Sequence, residues 1–108
     1  MDPIVIQGKE EKENGWRFIV EVGTYGGDKV GFAVFVNKEY WQSLTLEQFP
    51  PERLLRETFK FLFAKEITKI AMVRELGNSF DLQDLPNHYY SYERRMKMAL
   101  FGTEYPKA

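Results

Sequence analysis

Two alternating runs constrain this chain more than any other feature: WRFIVEVGT at residues 16–24 and KVGFAVFVN at residues 29–37. A β-strand sends successive side chains to opposite faces, so strict alternation marks a strand with one buried face. In the first run Trp16, Phe18, Val20 and Val22 point one way, while Arg17, Ile19, Glu21 and Gly23 point the other. In the second, Val30, Phe32, Val34 and Val36 share a face. Tyr25-Gly26-Gly27-Asp28 lies between them, which predicts a hairpin.

Burial then selects the register. A two-residue Gly26-Gly27 loop would set Val20 opposite Ala33 and divide the apolar rows between two faces. A three-residue loop, Gly26 to Asp28, sets Val20 opposite Val34 and Phe18 opposite Val36, with all eight large apolar residues on one face. That arrangement leaves Ile19 and Phe35 on the solvent side, with Tyr25 at the turn. A hairpin apolar on both sides implies a partner or a second copy, unless Tyr40, Trp41 or the tail folds over it.

Residues 3–7, PIVIQ, read as a first strand, and GKEEKENG as a solvated connection ending in the turn signal Asn14-Gly15. KEYWQSL at 38–44 reads as a helical turn leaving the sheet. Pro51 suits the first turn of a helix over 51–66. There Leu54, Leu55, Phe59, Phe61, Leu62 and Phe63 cover more than half the circumference, opposite Arg53, Arg56, Glu57 and Lys60. So wide a stripe means cover on more than one side. The phase continues over 68–76 to a Gly77-Asn78 cap, with a fourth strand at 69–73 as the alternative. A short helix is expected over 81–85, capped by Ser79 or Asp81 and interrupted by Pro86. A last helix is expected over 91–100, capped by Ser91, with a frayed tail. The chain is thus expected to be one α+β domain over residues 1–108: a three-stranded antiparallel meander at 3–7, 16–24 and 29–37, packed by helices. With 44% apolar and 16% aromatic residues in 108, it can fill one core built largely on rings.

Composition also restricts function. Fifteen basic and 16 acidic residues give a net charge of −1, which argues against nucleic acid as a partner. The absence of cysteine removes disulfides, thiolate metal sites and a thiol nucleophile. No apolar run approaches the roughly 20 residues of a membrane span, and the N-terminus has no signal-peptide pattern. A cytoplasmic location is the expectation.

The chemistry-bearing residues cluster in FDLQDLPNHYYSYERRM, residues 80–96. Asp81, Asp84 and His88 stand at i, i+3 and i+7, which on one continuous helix would form a divalent-metal site. Pro86 interrupts that helix, and aspartates near helix starts serve as caps. His88 lacks a signalled nucleophile or orienting partner, so no catalytic residue and no cofactor are assigned. Tyr89 and Tyr92 fall in phase with Met96, Ala99 and Leu100 as a core stripe. Tyr90 falls with Arg94, Lys97 and Phe101 on the more exposed side. An aromatic ring beside arginine suits a protein contact, or else RNA stacking.

FKFLFAKE at 59–66, with the later FDLQDL and Tyr89…Tyr92-Glu93, resembles a pattern in short uncharacterised bacterial proteins, "FLLERE" followed by "FDL..I..YFPEYE". Phe61, Leu62, Glu66, Phe80, Asp81, Leu82, Leu85, Tyr89, Tyr92 and Glu93 take the matching positions. The chain departs from it in a longer connection at 67–79 and in lacking a proline before Tyr92. The resemblance implies no activity; it implies that the tyrosines belong to a packing motif. Taken together, these residues suggest a non-enzymatic protein-interaction or regulatory module, acting on a protein partner or a second copy through Ile19, Tyr25, Phe35, Tyr90 and Arg94. The alternatives are a metal-binding protein or enzyme centred on Asp81, Asp84 and His88, and RNA binding through Tyr90 and Arg94.

Overall fold

The computed structural model describes residues 4–23, 29–65 and 77–102, with side chains through Phe63 in the second span. A four-stranded sheet in the order β1-β2-β3-β4 carries helices on one face. β1 (Ile4–Lys12), β2 (Gly15–Gly23) and β3 (Lys29–Asn37) form the antiparallel meander. Helices α1 (Lys38–Thr45) and α2 (Pro51–Lys65) follow, then the short strand β4 (Ser79–Asp81). A 3₁₀ turn (Leu82–Asp84) leads into α3 (Leu85–His88) and α4 (Tyr92–Phe101). The stretch expected as a helix over 68–76, or a strand at 69–73, lies outside the described residues, as do Tyr25 and residues 103–108.

The hairpin pairs Val20 with Phe32, Phe18 with Val34 and Trp16 with Val36. This is two residues away from the register expected of a Gly26–Asp28 loop; the loop itself lies outside the described residues. A shift of two leaves every side chain on its own face, because the strand period is two. Burial therefore specified the faces but could not separate these registers. Phe18, Val20, Val22, Phe32, Val34 and Val36 are all buried under the helices.

β1 is longer than the strand expected at 3–7, and the charged run lies within it rather than in a loop. Backbone pairing needs no apolar side chain, and β1 is an edge strand, where charges also discourage pairing with other chains. The tight turn is Glu13-Asn14, flanked by the paired Lys12 and Gly15. Register shifts between Ile6 and Gly8, so Gln7 is the extra residue of a bulge. Before the bulge Ile4 and Ile6 face the core; after it Lys9 faces it, opposite Phe18. The Lys9 ammonium lies 5.7 Å from the Trp16 ring and 5.9 Å from the Phe18 ring, and donates to Glu52 Oε2 at 2.9 Å. Partial burial works against the Glu52 charge, but hydrogen bonds from Lys9 and its own backbone amide, with the Lys9 charge, hold its carboxyl below the usual range.

β4 was not expected. It pairs parallel to β3, Ala33 with Ser79 and Phe35 with Asp81. Three residues give almost no periodic signal, and the pairing depends on a long crossover through α1 and α2. Asn78 fastens it: its carbonyl accepts from Ala33 N at 2.7 Å and its side-chain amide donates to Gly31 O at 2.9 Å.

The helices follow their sequence cues with three corrections. Asn37 caps α1 through Oδ1, which accepts from Tyr40 N at 2.9 Å, and Pro51 opens α2. Pro86 does not interrupt a helix; it stands in the first turn of α3, where its missing N–H has no intrahelical acceptor to lose. Asp81, Asp84 and Ser91 precede the 3₁₀ turn, α3 and α4, but none makes a side-chain cap bond. Asp84 (φ −88°, ψ −12°) and Ser91 (φ −90°, ψ 3°) lack the extended backbone that aims a cap side chain back at the helix. Ala99 is exposed although it lies near the Tyr92–Met96–Leu100 stripe, which meets the core together with Phe101.

α2 is covered on two sides, as its wide stripe requires. Phe59 meets Phe32 of the sheet (ring centroids 5.5 Å), while Phe61 meets Tyr89 (5.6 Å) and Tyr92 (5.5 Å) edge-on. Between α2 and α4 a short polar chain crosses the core. Thr58 Oγ1 donates to Leu54 O at 2.8 Å, so the Tyr92 hydroxyl, 2.8 Å away, donates to Thr58. Tyr92 is fully buried, and burial pushes its hydroxyl well above the ordinary tyrosine value.

Two stability predictions follow from this packing. A Cβ on Gly15 (φ 157°) would drive into the Val36 carbonyl, with Asn37 Cα only 3.1 Å away. Gly15→Ala should therefore destabilise by about 2 kcal/mol or more, read by urea titration. Thr58→Val leaves the Tyr92 hydroxyl buried without its acceptor and should cost about 1–3 kcal/mol. Adding Tyr92→Phe should recover much of that loss, an interaction energy that a double-mutant cycle measures directly.

Candidate interaction surface

The helical layer holds the residues first read as chemistry. Asp81 ends β4, Asp84 ends the 3₁₀ turn and His88 ends α3, so the three occupy three different elements. The common helix face that spacing alone offered does not form. Among the described residues no three of His, Cys, Asp and Glu gather closely enough to hold a metal ion. Asp81 and Asp84 still sense one another: burial first, and the Asp84 charge second, raise the Asp81 carboxyl above its ordinary 3.8. His88 is exposed, its ring 6.4 Å from that of Tyr89.

Tyr89 and Tyr92 pack on Phe61, in keeping with a core role. Tyr90 is 97% exposed, in the turn between α3 and α4. Because it precedes α4, helical phase does not relate it to Arg94, which is exposed on that helix. Tyr40 and Trp41 turn to the helical side. Tyr40 donates to Glu93 Oε2 at 2.9 Å, and Trp41 meets Trp16 edge-on at 5.3 Å while donating to Phe49 O at 2.8 Å. They therefore do not cover the far side of the sheet, because the inward-facing Trp16 draws Trp41 to the core side.

That far side carries two of the exposed large apolar residues, Val5 and Ile19. Register sets Gly8, Ile19, Ala33 and Ser79 in one row across the four strands, and Glu10, Arg17, Phe35 and Asp81 in the next. On the other side of the Ile19 row lie Val5, Glu21 and Gly31. Val5 is 47% and Ile19 37% exposed, and Phe35 is half-buried. Gly31 is exposed and carries no side chain, and the space above it is open: a Cβ there would meet nothing within 4 Å. Charges frame the patch. Glu21 holds Lys29 at 3.1 Å, and Glu10 pairs with Lys12. The hydrogen bond from Lys12, then its charge, keep the Glu10 carboxyl below the usual range, with Arg17 opposite adding to the effect.

Sequence pattern placed Ile19, Phe35 and Gly31 on the outer face but missed Val5. Val5 was in a strand already recognised; alternation there could have placed it outward beside Glu21. The role of Gly31 needs the pairing register. Elsewhere Glu13, Asn14, Asn37, Lys38, Glu39 and Gln42 line an open polar depression of about 500 Å³ beside the start of α1. No helix among the described residues is long and apolar enough to cross a membrane. Comparison with known proteins returns no match: no family model, no curated protein and no solved structure aligns with this chain.

The raised Asp81 carboxyl has a signed consequence. A carboxyl whose folded pKa lies above its unfolded value favours folding while protonated, and loses that contribution as pH rises through the folded value. Asp81→Asn should thus raise stability at pH 7, and with it Tm, by no more than the ~0.5 kcal/mol of a solvent-screened surface change in unfolding free energy. The gain should shrink as pH falls toward 3.8, a trend that paired thermal melts across pH will show or refute.

Proposed function

We propose that this chain is a non-enzymatic protein-interaction module that presents the outer face of its sheet to a protein partner. The observation that carries this reading is the exposure of Ile19 and Val5, in adjacent rows, with half-buried Phe35, on a face where Tyr40 and Trp41 provide no cover. Apolar side chains grouped on one rigid surface and rimmed by charge are the usual form of a protein contact. The rival metal or enzyme reading would centre on Asp81, Asp84 and His88, which lie on three successive elements rather than on one helix face. RNA binding through Tyr90 and Arg94 keeps only the exposure of Tyr90, against a net charge of −1.

The test is site-specific photo-crosslinking in the native cell, with the reactive residue at Phe35 or, as control, at the exposed Glu47 on the helical side. Protein adducts should form from position 35 and not from 47. Equal yields at both positions, or none at 35, would refute the assignment of the surface.

A further inference from the structure

The outer face matches itself when one copy is turned over and laid antiparallel on another. Along β2 the outward residues run Arg17, Ile19, Glu21: a cation, an apolar centre and an anion at equal spacing. On β3 the opposite residues run Phe35, Ala33, Gly31: large, small and none. Consider a two-fold axis lying between two such faces, across the strands, at the Ile19–Ala33 row. It reverses strand direction and keeps β2 over β2 and β3 over β3. Arg17 of each copy then meets Glu21 of the other, Ile19 meets Ile19, and Phe35 lies over Gly31, where no side chain stands in its way. The alternative axis, along the strands, sets Arg17 against Arg17 and Glu21 against Glu21. Charge thus selects one of the two face-to-face pairings, and shape agrees with it.

We infer that the occupant of the outer face is a second copy of this chain, in an antiparallel two-fold sheet-on-sheet dimer joined by Arg17–Glu21 pairs and Phe35–Gly31 contacts. This rests on the reading of that face as an interaction surface and names its partner. An isologous interface needs one patch complementary to itself under a two-fold rotation, which this row pattern supplies. Glu21 can keep Lys29 and still accept from Arg17 of the second copy, since a carboxylate offers four acceptor positions. Stacked sheets pack at about 10 Å with axes some 30° apart, which the short central rows tolerate better than their ends. Three strands of nine residues, at about 4.8 Å spacing and 3.3 Å rise, project a face of roughly 400 Å². That is small beside the ~800 Å² per partner of a standard interface, so the dimer is concentration-dependent.

The test is analytical ultracentrifugation of the purified full chain up to about 500 µM, a range that spans weak association. The wild type should dimerise reversibly. R17E sets two acids against each other across the axis and E21R two bases, so each alone should weaken the dimer at least about tenfold. An equimolar mixture of R17E and E21R should associate more tightly than either alone, because both inter-copy pairs are then opposite in sign. Gly31→Gln should put a side chain where Phe35 of the second copy lies and weaken the dimer without changing net charge. Thermal melts of each variant exclude unfolding as the cause. A wild type monomeric throughout, single reversals without effect, or a mixture no tighter than its components would each overturn the dimer. Adducts from position 35 to other proteins, with a monomeric wild type, would overturn the dimer and leave the interaction surface standing; absence of both removes both.

Discussion

The Tyr92 hydroxyl lies in the middle of an otherwise apolar core, and the Thr58 hydroxyl makes that placement tolerable. Without an acceptor, a buried O–H carries a desolvation cost of the order of the whole benefit of a well-made hydrogen bond. Thr58 can accept because its own proton goes to Leu54 O in the preceding turn. The chain of two bonds fixes how α4 lies on α2. Once Tyr92 is placed, Met96 and Leu100 fall into the same cleft, and Glu93 reaches the Tyr40 hydroxyl on α1. Three helices are thereby tied to one another over the buried face of the hairpin.

That layer needs a sheet with one wholly apolar face, and β1 supplies its share by changing parity. Up to Ile6 the even-numbered residues face the helices; beyond the Gln7 bulge the odd-numbered residues do. The change lets Lys9 span the end of the core with its stem on Phe18 and its ammonium on Glu52, where a strictly regular strand would have pointed it to solvent. Arg56 adds a second tie, donating to Ile4 O at 3.0 Å. The edge strand is thus held to α2 at both ends.

The two faces of the sheet obey different rules as a result. The inner face is specified by volume and burial. The outer face is specified by the order of charge and size along β2 and β3, with the largest residue and the empty position two places either side of Ala33. Nothing within the described fold needs Ile19 or Phe35 to be apolar, whereas a contact between chains would.

Alternation of period two was enough to establish the hairpin, its apolar face and the outward Ile19 and Phe35, because that period is a local property of extended backbone. The helical stripe of α2 was legible for the same reason, as was Pro51 at its start. Register, the Gln7 bulge, β4 and the acceptor of Tyr92 were not legible, since each depends on which distant segment lies opposite. A two-residue slip costs no burial pattern, a bulge moves one residue without altering composition, and Thr58 reads as an ordinary helix position until α4 is laid against it. The same limit explains the candidate site. Spacing would put Asp81, Asp84 and His88 on one face only of a continuous helix, and the chain there divides among a strand, a 3₁₀ turn and a one-turn helix. Local periodicity determines which side of an element is apolar; long-range pairing decides what that side meets.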